Sequence, residues 1–224
     1  NRPNGKSGFD IVIGNPPYIG EKGHKEIFQP VKTDTHLGQY YLGKMDYFYF
    51  FFHLAFNMLS PSGVATFITT NYYPTALGAR KLRADIKDRM NIKTLFNLGE
   101  LRLFENAPGQ HNMISSFAKG KDGCKCQVID VHKKGALNPI MFTSIINHID
   151  EDTTYADIAQ EDLYDGEENY IRLQNSNGDN PLSSLLEKIQ LGNNTLGNIA
   201  EVNAGIMGGC DSITNHNMKY ADAD

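Results

Sequence analysis

A short apolar run that ends in an asparagine, two prolines and a tyrosine constrains this chain more than any other feature. Residues 9–14 (FDIVIG) are rich in β-branched side chains, which is typical of a strand covered on both faces. Asn15-Pro16-Pro17-Tyr18 follows at once. Proline fixes φ and has no N–H, so this segment is a rigid turn rich in hydrogen-bond acceptors. Because ligands of open α/β sheets bind beyond the carboxyl ends of strands, the pattern predicts a binding site here.

Strand and helix patterns alternate after this turn. Residues 19–44 are polar and are predicted to form a loop. The further predicted elements are a helix from Met45 that stops at Pro61 and Gly63, strand 64–70, helix 76–90, strand 92–98 and strands 112–119 and 125–133. The last two are joined too closely for a helix between them. The fold class is therefore α/β, the C-terminal half of an open parallel sheet with an antiparallel hairpin at one edge.

The helix predicted over residues 76–90 has two distinct faces. Leu82, Ile86 and Met90 recur at helical spacing and are expected to point inward. The basic side chains Arg80, Lys81 and Arg83 are expected to point outward to solvent.

The C-terminal third differs in composition. Residues 150–168 hold nine acidic residues and no Lys or Arg, which indicates a solvated linker or acidic loop. Residues 180–192 have the pattern of a short capped helix, and the glycine-rich stretch 196–213 begins a new unit. We predict a partial catalytic domain over residues 1–180, and a connecting helix with the truncated start of another domain over residues 181–224.

Composition excludes several classes of function. The net charge of −5 provides no global basic field for nucleic acid. Cys124, Cys126 and Cys210 lack the paired spacing of a zinc site, so no metal is predicted, and a reduced, cytoplasmic setting is expected. The most apolar window is too short to span a bilayer and contains His53, so no membrane association is expected.

The chemistry of the turn points to a planar amine. An Asn carbonyl and proline carbonyls offer acceptors, and Tyr18 offers a flat face. The exocyclic amine of adenine is a poor nucleophile because its lone pair is delocalised into the ring. Two oxygens that accept both of its N–H hydrogens draw the nitrogen towards tetrahedral geometry and free the lone pair for attack on a methyl group. Such catalysis depends on positioning and on hydrogen bonds that strengthen as charge develops.

The segment DIVIGNPPY resembles the catalytic motif of the S-adenosylmethionine (SAM) dependent amino-methyltransferases, which have a Rossmann-like sheet. The fuller pattern is similar to the adenine-specific DNA methyltransferases of restriction–modification systems, above all to fused type II enzymes of the IIS or IIG kind. The stretches that carry this likeness are MDYFYFFFHLAF, GVATFITT, ALGARKLRADI, ELRLFENAPGQHNMISSF and LGNIAEVNAGIMGGCDSI, the last resembling the entry to a target-recognition domain.

The resemblance implies a DNA substrate and particular roles. The partner is double-stranded DNA from which the target adenine is turned out, at a cost of a few kcal/mol. Asn15 and the carbonyl of Pro16 hold the adenine amine, and Tyr18 stacks on the base. Phe104 faces the base from its other side, although a plain core or loop phenylalanine also explains it.

Contacts to the cofactor are also implied. Pro17 touches SAM and Phe51 approaches its adenine, but Phe51 also belongs to a helical stripe that is mostly core, and a core position is the favoured explanation for it. Gln110, His111 and Asn112 contact DNA or form a solvated turn.

The chain departs from the family pattern at the cofactor site. Neither the glycine-rich turn nor the acidic ribose-binding residue is found, and no nuclease constellation is evident. We therefore expect that the isolated 224-residue chain neither methylates nor binds SAM with useful affinity, and tight SAM binding in calorimetry would contradict this. The uncovered half-sheet is expected to self-associate.

Other uses of the same motif remain open. Protein-glutamine and RNA base amino-methyltransferases present the same two acceptors to an amine, although about 90 residues here follow the last predicted strand of the sheet. A non-catalytic DNA-specificity module would retain the fold, but a broken acceptor motif would then be expected, whereas this one is intact.

Overall fold

The computed structural model describes residues 7–104, 110–120 and 123–173. Its strands are β1 (Phe9–Gly14), β2 (Leu59–Thr70), β3 (Met90–Asn97), β4 (Leu101–Arg102), β5 (Asn112–Lys119), β6 (Cys126–Val131), β7 (Gly135–Ala136), β8 (Thr153–Ile158), β9 (Tyr164–Asp165) and β10 (Tyr170–Ile171). Its helices are α1 (Lys25–Thr33), α2 (Phe48–Met58), α3 (Arg80–Arg89) and α4 (Pro139–Ile146).

The main sheet has six strands in the order β1-β2-β5-β3-β6-β8. β1 is parallel to β2, and β3 is parallel to β6, whereas β5 runs antiparallel to both β2 and β3. β8 is antiparallel to β6 at the far edge. The carboxyl ends of four parallel strands and the amino end of β5 therefore meet along one side of the sheet, and the mixed α/β architecture predicted from the sequence is confirmed.

The hairpin predicted from residues 112–119 and 125–133 is wrong in its pairing. β5 lies between β2 and β3, and β6 pairs with β3 instead. The gap between β2 and β3 lets β5 form hydrogen bonds along both of its edges, and Met113, Ser115 and Phe117 are fully buried there. The antiparallel pair at the edge is β6 with β8, and helix α4 lies between them in sequence.

Two segments predicted as irregular have regular structure. Residues 25–33 form α1 because Phe28 and Val31, three residues apart, are both buried, although most of the other residues of this helix are polar. The acidic stretch contains β8, whose Thr153 and Ile158 are buried at its ends. Most of the carboxylates of residues 150–168 are exposed, which is why composition alone suggested a solvated linker.

The junction between α2 and β2 is also tighter than predicted. β2 starts at Leu59 directly after the helix, and the predicted helix stop at Pro61 and Gly63 lies inside this strand. The pairing of β1 with β2 shifts from Phe9 opposite Leu59 to Ile11 opposite Val64, so the extra residues of β2 bulge out.

The core is an aromatic cluster between α2 and the sheet. Phe48, Phe52 and Phe56 are fully buried on α2. The ring centroid of Phe52 lies 4.7 Å from that of Phe67 on β2 and 5.4 Å from that of Phe117 on β5. Aromatic burial of this kind fixes the helix against the strands that carry the turn.

Helix α3 confirms its predicted apolar face but not its predicted basic face. Leu82, Ile86 and Met90 are at most 2% exposed. Arg83, predicted to point to solvent, is fully buried and donates to backbone carbonyls of residues 73, 76 and 168. Its guanidinium lies over the Tyr170 ring, with Cζ 4.7 Å from the ring centroid.

Gly78, in the 3₁₀ turn before α3, lies directly against the backbone of the segment that precedes α2. A Cβ at this position would stand 2.1 Å from the Lys44 carbonyl oxygen. We expect Gly78→Ala to lower the free energy of unfolding by about 1–3 kcal/mol, because backbone has to move to relieve the overlap. Urea denaturation of the full-length protein measures this. Gly20→Ala is the control, since its Cβ would meet only Asp46 Oδ1 at 3.6 Å, and equal effects of the two changes would contradict the expectation.

β1 forms one edge of the sheet among the residues that the structure describes. Phe9, Ile11 and Ile13 are 53%, 67% and 77% exposed there. This is the surface to which the prediction of self-association applies, and it stays a prediction. No helix in the described ranges has the length and apolar character needed to cross a bilayer. The predicted boundary near residue 180, Cys210, and the elements predicted at 180–192 and 196–213 lie outside the described residues.

Candidate active site

The turn Asn15-Pro16-Pro17-Tyr18 follows β1 on the side of the sheet where the parallel strands end. Asn15 and Pro17 are exposed, Pro16 is buried and Tyr18 is half-buried. The two prolines provide no N–H, so the polar groups of the turn are the Asn15 carboxamide, the Tyr18 hydroxyl and backbone acceptors. The turn thus presents a carboxamide and an aromatic ring within four residues of each other.

Tyr18 is held by contacts within the turn, to β2 and to α2. Its hydroxyl lies 2.7 Å from Asn15 Oδ1 and 3.0 Å from the carbonyl oxygen of Ile68 on β2. Its ring meets Phe48 edge-on, with 6.1 Å between centroids. Burial raises the pKa of Tyr18, although a hydrogen bond with Asn112 of β5 opposes the shift, so the phenol remains neutral at physiological pH. Tyr18 is therefore a neutral aromatic surface and not a base.

A pocket of about 290 Å³ adjoins the turn between β1 and α2. Its wall brings together Pro17 and Phe51, the two residues predicted to contact the cofactor. Phe51 is only half-buried, unlike its neighbours Phe50 and Phe52, so it is not a plain core position. The rest of the lining is mainly aliphatic and comes from Val12, Ile13, Gly14, Leu54, Ala55 and Met58, together with Phe67 and residues 15 and 16. An apolar cleft with an aromatic wall fits a planar ring such as the adenine of SAM, and the cofactor contact stays a prediction.

A row of amides continues along the same side of the sheet. Asn71, which follows β2, donates from Nδ2 to Asn97 Oδ1 at the end of β3 over 2.9 Å. Asn97 Nδ2 in turn donates to Asp130 Oδ1 on β6 over 2.7 Å. Sequence reasoning missed this network. Its only sequence signal was a polar residue at the end of each of several apolar strands.

Asn112 is enclosed by the sheet and is not part of a solvated turn. It is 1% exposed, starts β5 and its Nδ2 lies 3.4 Å from the Thr69 carbonyl oxygen. Direct contact with DNA is therefore wrong for Asn112 because its side chain is enclosed by the sheet. His111 is half-buried, and its Nδ1 lies 2.9 Å from the Gly99 carbonyl oxygen.

Phe104 follows the short strand β4 and is half-buried. The turn before it depends on Gly99, which has a φ of +53° and where a Cβ would stand 2.6 Å from the Val131 carbonyl oxygen. Within the described ranges, no ring contact joins Phe104 to Tyr18. Its role opposite the base stays a prediction.

The connection from the turn to α2 is held by Glu21. This buried carboxylate accepts hydrogen bonds from the Tyr41 hydroxyl and the Lys44 backbone N–H, and lies 3.2 Å from Lys32 Nζ. Burial by itself would raise the pKa of Glu21, but these partners hold it below its usual value. Glu21 thus holds the segment between the turn and α2 in a compact arrangement beside the site. No group of three His, Cys, Asp or Glu that could hold a metal occurs in the part of the chain that the structure describes.

These features, a proline-rich acceptor turn, an adjoining apolar pocket and a mixed sheet with β5 reversed, can be compared with known proteins. Residues 2–104 match the Eco57I restriction-modification methylase family. The match begins before β1 and runs through the turn, α2 and α3 to Phe104. It confirms the resemblance inferred from the sequence motifs.

Two curated relatives are also named as methyltransferases. Over 133 residues the chain is 25% identical to the Type II methyltransferase M.HincII of Haemophilus influenzae. The aligned region covers 59% of this chain and 26% of that protein. The Type II methyltransferase M.HindII of the same species gives the same values. The chain thus spans about a quarter of the length of these relatives.

Solved structures agree in fold. The M protein of the type I restriction enzyme EcoKI superposes with a TM-score of 0.55 at 14% identity, over 82% of this chain and 48% of that one. A methyltransferase subunit of a type I restriction-modification system from Streptococcus thermophilus gives 0.54 at 15% identity, over 75% and 37% of the two chains. At these identities the likeness shows the fold alone, and it confirms the predicted methyltransferase-like sheet.

Proposed function

We propose that this protein belongs to a restriction–modification methyltransferase that transfers the methyl group of SAM to the exocyclic amine of adenine in DNA. The observation that carries the proposal is the placement of the Asn15-Pro16-Pro17-Tyr18 turn. It lies at the carboxyl end of β1, with the Asn15 carboxamide exposed beside an apolar pocket. The family match over residues 2–104 and the methyltransferase relatives support it.

The residues of the turn act on the amine by hydrogen bonding. Asn15 Oδ1 and the Pro16 carbonyl oxygen accept the two N–H hydrogens, and their hydrogen bonds strengthen as positive charge develops on nitrogen. Bound SAM supplies the electrophilic methyl group. The neutral Tyr18 does not remove a proton. The surplus proton leaves the methylated nitrogen for solvent, which reaches the exposed Asn15.

The aromatic groups hold the two planar partners. The Tyr18 ring stacks on an adenine turned out of the duplex, an interaction worth about 1–3 kcal/mol per base. Phe104 approaches that base from its other face. Pro17 and Phe51, which share the wall of the pocket, enclose the adenine end of SAM.

Sequencing the DNA of a methylation-deficient bacterial host that expresses the full-length gene tests the proposal. We expect N6-methyladenine in one recurring sequence context, and none in cells that express the Asn15→Ala variant. Methylated glutamine in host proteins or methylated RNA bases, with unmodified DNA, would overturn the choice of substrate. Unmodified DNA, RNA and protein in cells that contain the folded enzyme would overturn the activity itself.

A further inference from the structure

Hydrogen bonds join Asn71, Asn97, Gly99 and His111 in a closed ring on the side of the sheet that carries the acceptor turn. Asn97 Oδ1 accepts from Asn71 Nδ2 over 2.9 Å and from the Gly99 N–H over 3.3 Å. The Gly99 carbonyl oxygen accepts from His111 Nδ1 over 2.9 Å. The His111 carbonyl oxygen accepts from the Asn71 N–H over 3.0 Å, which closes the ring. Three separate segments of the chain therefore meet in this hydrogen-bonded ring.

The partners of Asn97 allow its carboxamide one orientation. Asn97 is 8% exposed, and its Nδ2 donates to Asp130 Oδ1 on β6 over 2.7 Å. An ionised carboxylate only accepts and a backbone N–H only donates, so Asp130 requires the amide nitrogen and Gly99 requires the amide oxygen. A carboxamide turned the other way would place donor against donor and acceptor against acceptor. Asp130 thus helps to keep the oxygen of Asn97 in the hydrogen-bonded ring.

The hydrogen-bonded ring connects the strand that holds Tyr18 with the segment that leads to Phe104. The Tyr18 hydroxyl lies 3.0 Å from the carbonyl oxygen of Ile68 on β2, and Asn71 follows Ile68 by three residues. Phe104 follows Gly99 by five residues. The two aromatic side chains predicted to face the target base are therefore tied to opposite sides of the same ring.

The chain between Gly99 and Phe104 has little freedom to absorb a displacement. Gly99 has a φ of +53°. Leu101 is fully buried and pairs with β7. The Arg102 carbonyl oxygen accepts from the Leu137 N–H over 2.9 Å. A shift at Gly99 is therefore passed on along the chain to Phe104.

We propose that Asn97 is a positioning residue that sets the distance of Phe104 from Tyr18. This role rests on the proposed function, in which both aromatic side chains face an adenine turned out of the duplex. A base stacks on both of them only when the gap between them matches its thickness. Without Asn97 the hydrogen-bonded ring loses the oxygen that accepts two of its hydrogen bonds, and the gap is no longer fixed.

Asn97→Ala, Phe104→Ala and the double variant of the full-length enzyme test this role together. Permanganate oxidises a thymine faster when it is unpaired, so the thymine opposite the target adenine reports the extruded fraction. We expect each single change to lower the extrusion equilibrium about fivefold or more, the lower limit for loss of one aromatic stack. In the Phe104→Ala background, Asn97→Ala should change it less than twofold. Wild-type extrusion by either single variant, or an undiminished effect of Asn97→Ala in that background, would overturn the proposal.

Asp130 offers a second, matched pair of variants, because removal of the buried Asn97 side chain can prevent folding. Asp130→Asn keeps an oxygen that accepts from Asn97, so extrusion should stay within about twofold of the wild type. Asp130→Ala removes this acceptor and should lower extrusion, with no further loss in the Phe104→Ala background. Equal losses in the two variants would mean that the negative charge of Asp130 acts, and not the orientation of Asn97. That result, or an unimpaired Asp130→Ala enzyme, contradicts the assigned role.

Failure of this role and failure of the proposed function give different results. Unmethylated DNA in cells that contain the folded wild-type enzyme would reject the function. Formation of N6-methyladenine, together with independent effects of Asn97→Ala and Phe104→Ala on extrusion, would leave the function in place and reject only the role of Asn97.

Discussion

Asn15→Ala is expected to lower kcat for DNA methylation by about 10³-fold while the affinity for DNA stays nearly the same. In the proposed function the carboxamide oxygen accepts from an amine whose charge grows in the transition state, so its contribution is largest there. Loss of an interaction made mainly in the transition state lowers kcat and kcat/KM together. Single-turnover methylation with tritiated SAM measures the rate, and fluorescence anisotropy of labelled DNA measures the affinity.

Asn57→Ala is the matched control. Asn57 is an exposed residue of α2 whose Oδ1 accepts from Arg89, and it lies outside the residues that form the turn and line the pocket. The same chemical change at this position should leave kcat within about twofold of the wild type. A large loss of kcat at both positions would indicate a general effect of removing an asparagine side chain. An unimpaired Asn15→Ala enzyme would contradict the mechanism.

Arg83→Met is expected to lower the free energy of unfolding by about 3–5 kcal/mol. Arg83 is fully buried, and its guanidinium donates to the carbonyl oxygens of Tyr73 at 3.0 Å, Ala76 at 2.5 Å and Glu168 at 3.0 Å. Methionine fills much of the same volume but donates nothing, so three carbonyl oxygens lose the hydrogen bond from Arg83. Chemical denaturation monitored by circular dichroism measures the change.

Arg80→Met provides the control on the same helix. The Arg80 side chain is 51% exposed and forms one ion pair, at 3.2 Å, with Glu168. Exposed pairs of this kind contribute about 0–1 kcal/mol. We therefore expect the Arg80 variant to unfold close to the wild-type midpoint. A difference of less than 1 kcal/mol between the two variants would show that the buried contacts of Arg83 do not hold α3 to the segment around residue 168.

The contrast between Arg80 and Arg83 shows where sequence reasoning on α3 ends. Both were assigned to the solvent face because arginine is rarely fully buried. Arg83 is buried because the chain near residue 168 passes over α3 and supplies a carbonyl acceptor, a partner 85 positions away. No local sequence pattern indicates such a partner. The apolar positions of α3 were predicted correctly because helical periodicity is a local property.

The pairing of the strands gives a second example. The existence of strands at 112–119 and 126–131 followed from their apolar and β-branched composition. The strands with which they pair did not follow from composition. Two strands close in sequence usually form a hairpin, whereas here β5 lies between β2 and β3. The same insertion buries Asn112, so a residue considered for DNA contact is enclosed by the sheet.

By itself, the sequence determined β1, the acceptor turn that follows it, the apolar faces of α2 and α3, and the methyltransferase likeness. Each of these depends on proline stereochemistry, periodicity or a contiguous motif. Only the tertiary structure decided the position of β5, the burial of Arg83, the strand within the acidic segment and the contact of the Tyr18 hydroxyl with Ile68. These depend on hydrogen-bond partners far apart in the chain, and folding alone brings such partners within 3 Å.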